Sequence, residues 1–172
     1  MPDTGSTDPG DDLVDVVDAD GGVVGQASRR EMRARRLPHR STYILVFNRR
    51  GELFVHLRTA TKDVWPSHWD TCVGGVVAAG ESFDDGATRE LEEEIGVSAP
   101  LERLFPVVYA DSTTVVHGMA YRATHDGPFR LQAEEVVRGE FVPVDEVTKR
   151  AAREPFCPDG LIVLARWREA GG

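Results

Sequence analysis

The sequence predicts an α/β domain in which helices flank a mixed β-sheet. Three features lead there: short β-branched and aromatic runs bounded by turn residues, a strongly periodic helical stretch at Ser82–Glu94, and an irregular order of strands and helices that does not suit a doubly wound parallel sheet. At 172 residues the chain suits one domain, and 41% hydrophobic with 28% charged residues is ordinary globular usage, so a packed core is expected.

Residues 1–12 carry no apolar side chain beyond Met1 and are expected to form a disordered N-terminal tail, leaving a domain over 13–172. Leu13–Val17 and Val23–Gln26 read as paired strands around a turn at Asp18–Gly22. Ser28 followed by Glu31 resembles a capping box that opens a short helix through Arg36, which Pro38 stops. Thr42–Phe47 and Leu53–Leu57 read as a hairpin about Asn48–Gly51. Residues 58–74 read as a long functional loop containing Trp65, Pro66 and Trp69. Beyond the helix at Ser82–Glu94, strands are expected at Val107–Ala110, Val115–Arg122 and Glu140–Pro143. A closing helix is expected at Asp159–Glu169.

The net charge of −9 argues against a duplex nucleic-acid binder, which needs a positive face for phosphates. It is compatible with a phosphorylated small molecule if a hard divalent cation supplies the neutralising charge. Cys72 and Cys157 stand far apart in no metal-like spacing, as expected of a reduced cytoplasmic protein. No apolar run approaches a membrane span, and the first residues lack the order of a signal peptide. His117 and His125 show no ligand spacing.

The chemistry concentrates in Gly75 to Val97. At about 100° per residue, Glu90, Glu93 and Glu94 share an arc of roughly 100°, while Glu92 points elsewhere. Ala87, Leu91 and Ile95 form an apolar stripe beside them that anchors the helix on a core. Three like charges on one face repel, and Arg89 at helical spacing from Glu93 answers only part of that charge, so a bound divalent cation is expected. Most glutamate-rich helices are simply solvated faces. Here Gly75 and Gly80 bracket a short loop before the helix, Gly96 stands where a left-handed cap is expected, and Glu81 is placed to cap exposed amides.

This segment resembles the Nudix box. Its nine specified positions are met by Gly75, Glu81, Arg89, Glu90, Leu91, Glu93, Glu94, Gly96 and Val97. The resemblance implies an α/β/α sandwich around a mixed sheet and a hydrolase in which water attacks phosphorus of a nucleoside diphosphate joined to another group. It implies that Glu90, Glu93 and Glu94, with the Gly75 carbonyl, bind Mg²⁺ or Mn²⁺, that Arg89 orients the first glutamate, and that Glu81 supports loop and helix. Homodimers are frequent among such enzymes. Glu90 is the first choice of base, with Glu134 or Glu135 as alternatives. Arg58 and Lys62, cations flanking the loop before the box, are candidates for binding the substrate diphosphate.

Outside the box, Leu13–Gly25, Leu37–Arg40, Arg58–Pro66 and Trp69–Asp70 resemble the isopentenyl-diphosphate isomerase-like branch. An isomerase needs an acid–base pair rather than activated water. Where those enzymes carry Cys-Gly-His, this chain has Gly74-Gly75-Val76, and Thr113–Val116 offers no acid where a glutamate pair is expected. Cys72 therefore reads as a buried structural thiol, His39 as structural, and Trp65 and Trp69 as core residues by default. Hydrolase is the favoured reading; a non-catalytic nucleotide sensor is a third.

Overall fold

In the computed structural model, which describes residues 8–172, the chain runs β1 (Leu13–Val17), β2 (Val23–Ser28), α1 (Arg29–Ala34), β3 (His39–Phe47), β4 (Leu53–Arg58) and β5 (Trp69–Asp70). It continues through α2 (Phe83–Ile95), β6 (Glu102–Ala110), β7 (Val115–Thr124), β8 (Val136–Val142), α3 (Val144–Ala151) and α4 (Pro158–Glu169). All eight strands belong to one mixed sheet.

β3 is its centre, and its nearly unbroken burial follows from helices on both faces. Ile44 and Val46 point to the side where Ala87, Leu91 and Ile95 of α2 pack with Phe54 and Tyr121. Tyr43, Leu45 and Phe47 point to the other, against Val147 of α3, Val163 and Leu164 of α4, and Trp69 and Phe156. The result is the expected α/β/α sandwich around a mixed sheet.

Pairing decides where a cleft can open. β3 runs parallel to β7 from His39↔Val116 to Phe47↔Thr124, and β7 pairs antiparallel with β6. β3 and β4 share only the Phe47↔Leu53 register, then separate, and β4 pairs instead with β8 and β5. The vacated edge of β3 is taken by residues 73–77: Ile44 and Val73 exchange amide bonds of 2.7 and 2.9 Å, and Thr42 N donates to Gly75 O at 2.9 Å. An irregular segment that feeds α2 is thereby locked to the most buried strand.

Several expectations are corrected. Residues 1–7 of the expected tail lie outside the described residues. Pro9–Asp11 form a 3-10 turn, capped by Asp8 and tied to the domain by Arg30, which bonds Asp8 at 2.7 Å. α1 ends at Ala34 rather than Arg36, because Arg36 takes a positive φ of 53°. Its Ser28 Oγ accepts from Glu31 N as a capping box requires, but Glu31 turns to Arg35 instead of back to the cap. The long loop contains β5, and β6 and β8 begin earlier than read. α3 was not expected; its signal was a first turn with Asp145 and Glu146 and a last turn with Lys149 and Arg150, matched to the helix dipole. α4 begins at Pro158 behind Cys157, so Asp159 lies inside the first turn. Among the described residues no helix is long and apolar enough to cross a membrane.

Two buried imidazoles set an acid limit. His56 and His39 are each 1% exposed, and burial pushes both down to about 4. The unfolded chain protonates near 6.5, so their contribution is present above that pH and lost as pH falls from about 6.5 to about 4. The raised carboxyls of Glu94 and Asp159 titrate with the opposite sign over this window, so the readout is the comparison with His56→Gln. The parent's unfolding free energy from urea titrations should fall relative to the variant's, by at most roughly 3 kcal/mol, as pH drops from about 6.5 to about 4. No relative change would refute the assignment.

Candidate active site

α2 carries the carboxylates and is fixed at both ends. Ser82 Oγ accepts from Asp85 N at 3.1 Å, and Gly96 closes the helix at φ 70°. The N-cap is thus Ser82, not Glu81. With Ala87, Leu91 and Ile95 in the core, the helix cannot rotate without exposing them, so Glu90 and Glu94 are committed to the β3 side and Glu93 to the rim.

Arg89 gathers the acids. Its guanidinium donates to Glu81 Oε2 and Oε1 at 2.9 and 3.0 Å, to Glu90 Oε1 at 2.9 Å, to Glu93 Oε2 at 3.1 Å and to Val76 O at 3.3 Å. These bonds hold the Glu81 carboxyl below its ordinary range and raise the guanidinium further above its own. Two glycines make the fit possible. A Cβ on Gly75 would come within 2.9–3.0 Å of the Glu90 carboxyl atoms, and one on Gly86 within 2.8 Å of Glu81 Oε1. Gly86 was not singled out from sequence; a glycine inside a helix costs roughly 1 kcal/mol against alanine, and that oddity was its signal.

The innermost acid is left short of partners. Glu94 is 4% exposed and its Oε2 has no hydrogen-bond partner among the described residues. Burial, then the charge of Glu90, pushes its carboxyl up to about 8. Burial likewise raises Glu90, opposed by Arg89. The Gly75 carbonyl accepts from Thr42 N at 2.9 Å and, at a long 3.5 Å, from Thr42 Oγ1. As the side chains stand, no three His, Cys, Asp or Glu groups among the described residues form a ready cage for an ion, because Arg89 stands among the carboxylates and Glu93 turns to it.

Cations collect across the cleft. Lys62 pairs with Glu135. Arg58 donates to Val64 O at 2.9 Å and to Asp70 at 3.5 Å. Arg29 and Arg33 share Asp63, at 3.8 and 2.9 Å. Burial and the neighbouring Arg58 charge lower Lys62, a sign that like charges are held close here. A cleft of about 500 Å³ has Glu90, Glu93 and Glu94 on one wall and Arg29, Lys62 and Glu135 opposite. Glu135 thus lines the cleft and Glu134 is exposed outside it.

His39 is structural, its Nδ1 at 3.0 Å from Leu37 O. Cys72 is buried, which pushes its thiol well up and makes it a poor nucleophile. Trp69 is core, whereas Trp65 is half-buried at φ 45°, edge-on to Tyr109. The sequence reading missed the brace under the loop. Arg40 donates to Glu81 O, Asp15 Oδ2 and Ala78 O, while Asp15 also accepts from Gly80 N at 3.0 Å. No local pattern links residues 15, 40 and 80.

Comparison with known proteins agrees with this architecture. The NUDIX domain family matches residues 37–160. A Nudix hydrolase of Streptomyces coelicolor is 44% identical over 94% of this chain and 93% of its own length. The Nudix hydrolase YfcD of Escherichia coli K12 is 39% identical over 90% and 85%. Among solved structures, a Deinococcus radiodurans protein aligns with TM-score 0.80 at 24% identity, covering 90% of this chain and 98% of that one. The NUDIX domain of Shewanella oneidensis NrtR, crystallised with ADP ribose, aligns with TM-score 0.62 at 19% identity, over 77% and 88%. These two likenesses speak to the fold alone. The matched domain and the relatives across nearly the whole chain place this protein in the Nudix hydrolase family, enzymes that act on pyrophosphate bonds with the help of divalent cations.

Proposed function

We propose that the protein hydrolyses a nucleoside diphosphate derivative with Mg²⁺ or Mn²⁺ held by Glu90, Glu93, Glu94 and the Gly75 carbonyl. The observation that carries this is the buried Glu94 Oε2, which has no hydrogen-bond partner among the described residues and whose side chain lines the same cleft as those of Glu90 and Glu93. A lone buried carboxylate is costly unless paired or coordinated, and hard divalent cations prefer oxygen donors of this kind. When bound, such an ion supplies charge neutralisation at the phosphoryl oxygens and lowers the pKa of an attacking water.

The chain supplies the rest. Arg89 restrains Glu90 and Glu93 and screens their repulsion. Lys62, in the same cleft, and Arg58, lining a smaller neighbouring cavity, bind the non-bridging oxygens, and their low exposure preserves the strength of those contacts. Glu90 takes the proton of the attacking water; Glu135, in the same cleft but paired with Lys62, is the second choice. ADP ribose in the NrtR domain supports a nucleoside diphosphate joined to a small group as the substrate class.

Glu93→Gln and Glu94→Gln should each fold like the parent yet lose at least about 100-fold in turnover, since their side chains face the ligand. In the parent, saturating Mg²⁺ or Mn²⁺ should add roughly 3 kcal/mol of stability at a hundredfold excess over Kd. The gain should shrink strongly in Glu94→Gln. Full retention of both activity and ion-dependent stabilisation in that variant would sink the assignment.

Gly75→Ala separates backbone from carboxylate. Its Cβ must displace the Glu90 carboxyl, so turnover on any cleaved nucleotide substrate should fall by about 10- to 100-fold while the melting temperature moves little. Activity equal to the parent would show that Glu90 needs no fixed position against Gly75.

A further inference from the structure

The stretch Val77–Gly80, which leads into α2, has no side chain able to hydrogen-bond, so its backbone must be held from outside. β3 and β1 do this. Val77 N donates to Arg40 O at 3.0 Å, Ala79 N to Leu13 O at 2.9 Å and Gly80 N to Asp15 Oδ2 at 3.0 Å. The Arg40 guanidinium reaches Glu81 O at 2.8 Å and Ala78 O at 3.2 Å. β1 precedes the residues 37–160 matched by the family, so the box alone does not account for this hold.

Asp15 stands at its centre. Its Oδ2 accepts from Gly80 N and, at 2.6 Å, from Arg40, while Oδ1 accepts from Gln26 Nε2 at 3.3 Å across the β1–β2 pair. The Asp15 and Arg40 side chains are 6% and 12% exposed. For stability alone a buried ion pair is a poor choice, since a well-packed apolar pair often serves a fold as well or better. An apolar pair could not address one amide and two carbonyls of residues 78–81 at once. What this pair adds is the path of that loop.

The path matters because Glu81 ends it. Glu81 Oε2 and Oε1 accept from Arg89 at 2.9 and 3.0 Å, and the same guanidinium donates to Glu90 Oε1 and Glu93 Oε2. Glu81 has no slack on the helix side, where a Cβ on Gly86 would stand 2.8 Å from Oε1. A shift of the loop therefore passes from Glu81 to Arg89, and from Arg89 to the two glutamates. The residues lining the cleft include Leu13 and Val14 but not Asp15, so Asp15 acts only through others.

We propose that Asp15 is a positioning residue: through Gly80 and Arg40 it fixes Glu81, and through Glu81 and Arg89 it sets Glu90 and Glu93 for the divalent cation. The proposal rests on the hydrolase reading of the cleft. Against the cost of burial, the bonds from Gly80, Gln26 and Arg40 hold the Asp15 carboxyl below its ordinary range, so the brace keeps its charge at neutral pH. Lys62 and Arg58 bond Glu135 and Asp70 and stand outside this chain of contacts. Loosening the brace therefore weakens turnover and ion binding while nucleotide binding stays nearly the same.

The test compares the full-length parent with Asp15→Asn and Asp15→Ala. In Asp15→Asn the amide oxygen still accepts from Gly80 N and Arg40, and its NH₂ turns to the Gln26 amide, so the variant should fold with weaker, uncharged bonds. The substrate is ADP ribose, or the fastest-cleaved member of a panel of nucleoside diphosphate derivatives, with Mg²⁺. kcat should fall about 3- to 10-fold in Asp15→Asn and about 10- to 100-fold in Asp15→Ala, with KM within about twofold. Mn²⁺ binding without nucleotide, followed by the EPR signal of the free ion, should weaken in the same order. Combined with Glu81→Gln, Asp15→Asn should lower kcat by less than the product of the single effects, because both act along one path. Equal kcat and Mn²⁺ affinity in parent and Asp15→Asn, a loss confined to KM, or full multiplicativity with Glu81→Gln would each overturn the proposal. Weaker Mn²⁺ binding in the variants, with no nucleotide cleaved by the parent, would uphold the role of Asp15 and overturn the hydrolase reading. Neither Mn²⁺ binding nor cleavage by the parent would overturn both.

Discussion

The arrangement depends on one guanidinium set among carboxylates. Arg89 bonds Glu81, Glu90 and Glu93 together with the Val76 carbonyl, joining the loop before α2 to the helix itself. Three glutamates on one helical face would otherwise repel, and the apolar stripe beneath them would be buried against that repulsion. A lysine in its place offers one charged head and no planar fork, so it could not address several carboxylates and a carbonyl at once.

That fork works because the backbone opposite is held to a narrow path. β3 and β4 part after one register pair, and residues 73–77 occupy the exposed edge of β3. The segment is thus as immobile as a strand while free of strand geometry: Gly74 takes φ 147°, where a Cβ would strike Thr42 O. Side chains are excluded from both glycine positions by different neighbours, Thr42 on one side and Glu90 on the other. The Arg40–Asp15 pair then ties the far end of the loop to β1, so the carboxylate helix and both cavities are referred to the same sheet.

What could be read from sequence follows from the range of the interaction. The face shared by Glu90, Glu93 and Glu94, the anchoring stripe and the Gly96 cap are properties of a single helix, and they were legible because periodicity encodes them. The hairpin at Asn48–Gly51 and the β1–β2 pair were legible for the same reason. The parallel β3–β7 pairing, the edge taken by residues 73–77 and the convergence of Asp15, Arg40 and Gly80 involve residues tens of positions apart, with no pattern in the chain to announce them. Only the capping role expected of Glu81 is replaced, for a related reason: a carboxylate before a helix is ordinarily a cap, but Ser82 takes the cap while Glu81 accepts from Arg89 and the Ala78 amide. Lys62 lines the cleft while Arg58 lines a smaller neighbouring cavity, and their pairing with Glu135 and Asp70 was not visible in the sequence.

Two buried carboxylates, Asp15 on β1 and Glu94 on α2, differ in how their burial is answered. Asp15 is 4% exposed, yet despite the cost of burial it is held below its ordinary range by Gly80 N, Gln26 and Arg40. Glu94 is equally buried, but its strongest neighbours are the low-dielectric interior and the charge of Glu90, and one of its oxygens is unmet. Had the fold needed only a polar residue at position 94, a partner like Arg40 would answer it, or an apolar side chain would serve better. Leaving an acid buried and unanswered at the end of a cleft raises the free energy of the empty protein. On the proposed role of Glu94, a cation of the right hardness would recover that cost, so the same residue that weakens the domain would give it affinity for the ion.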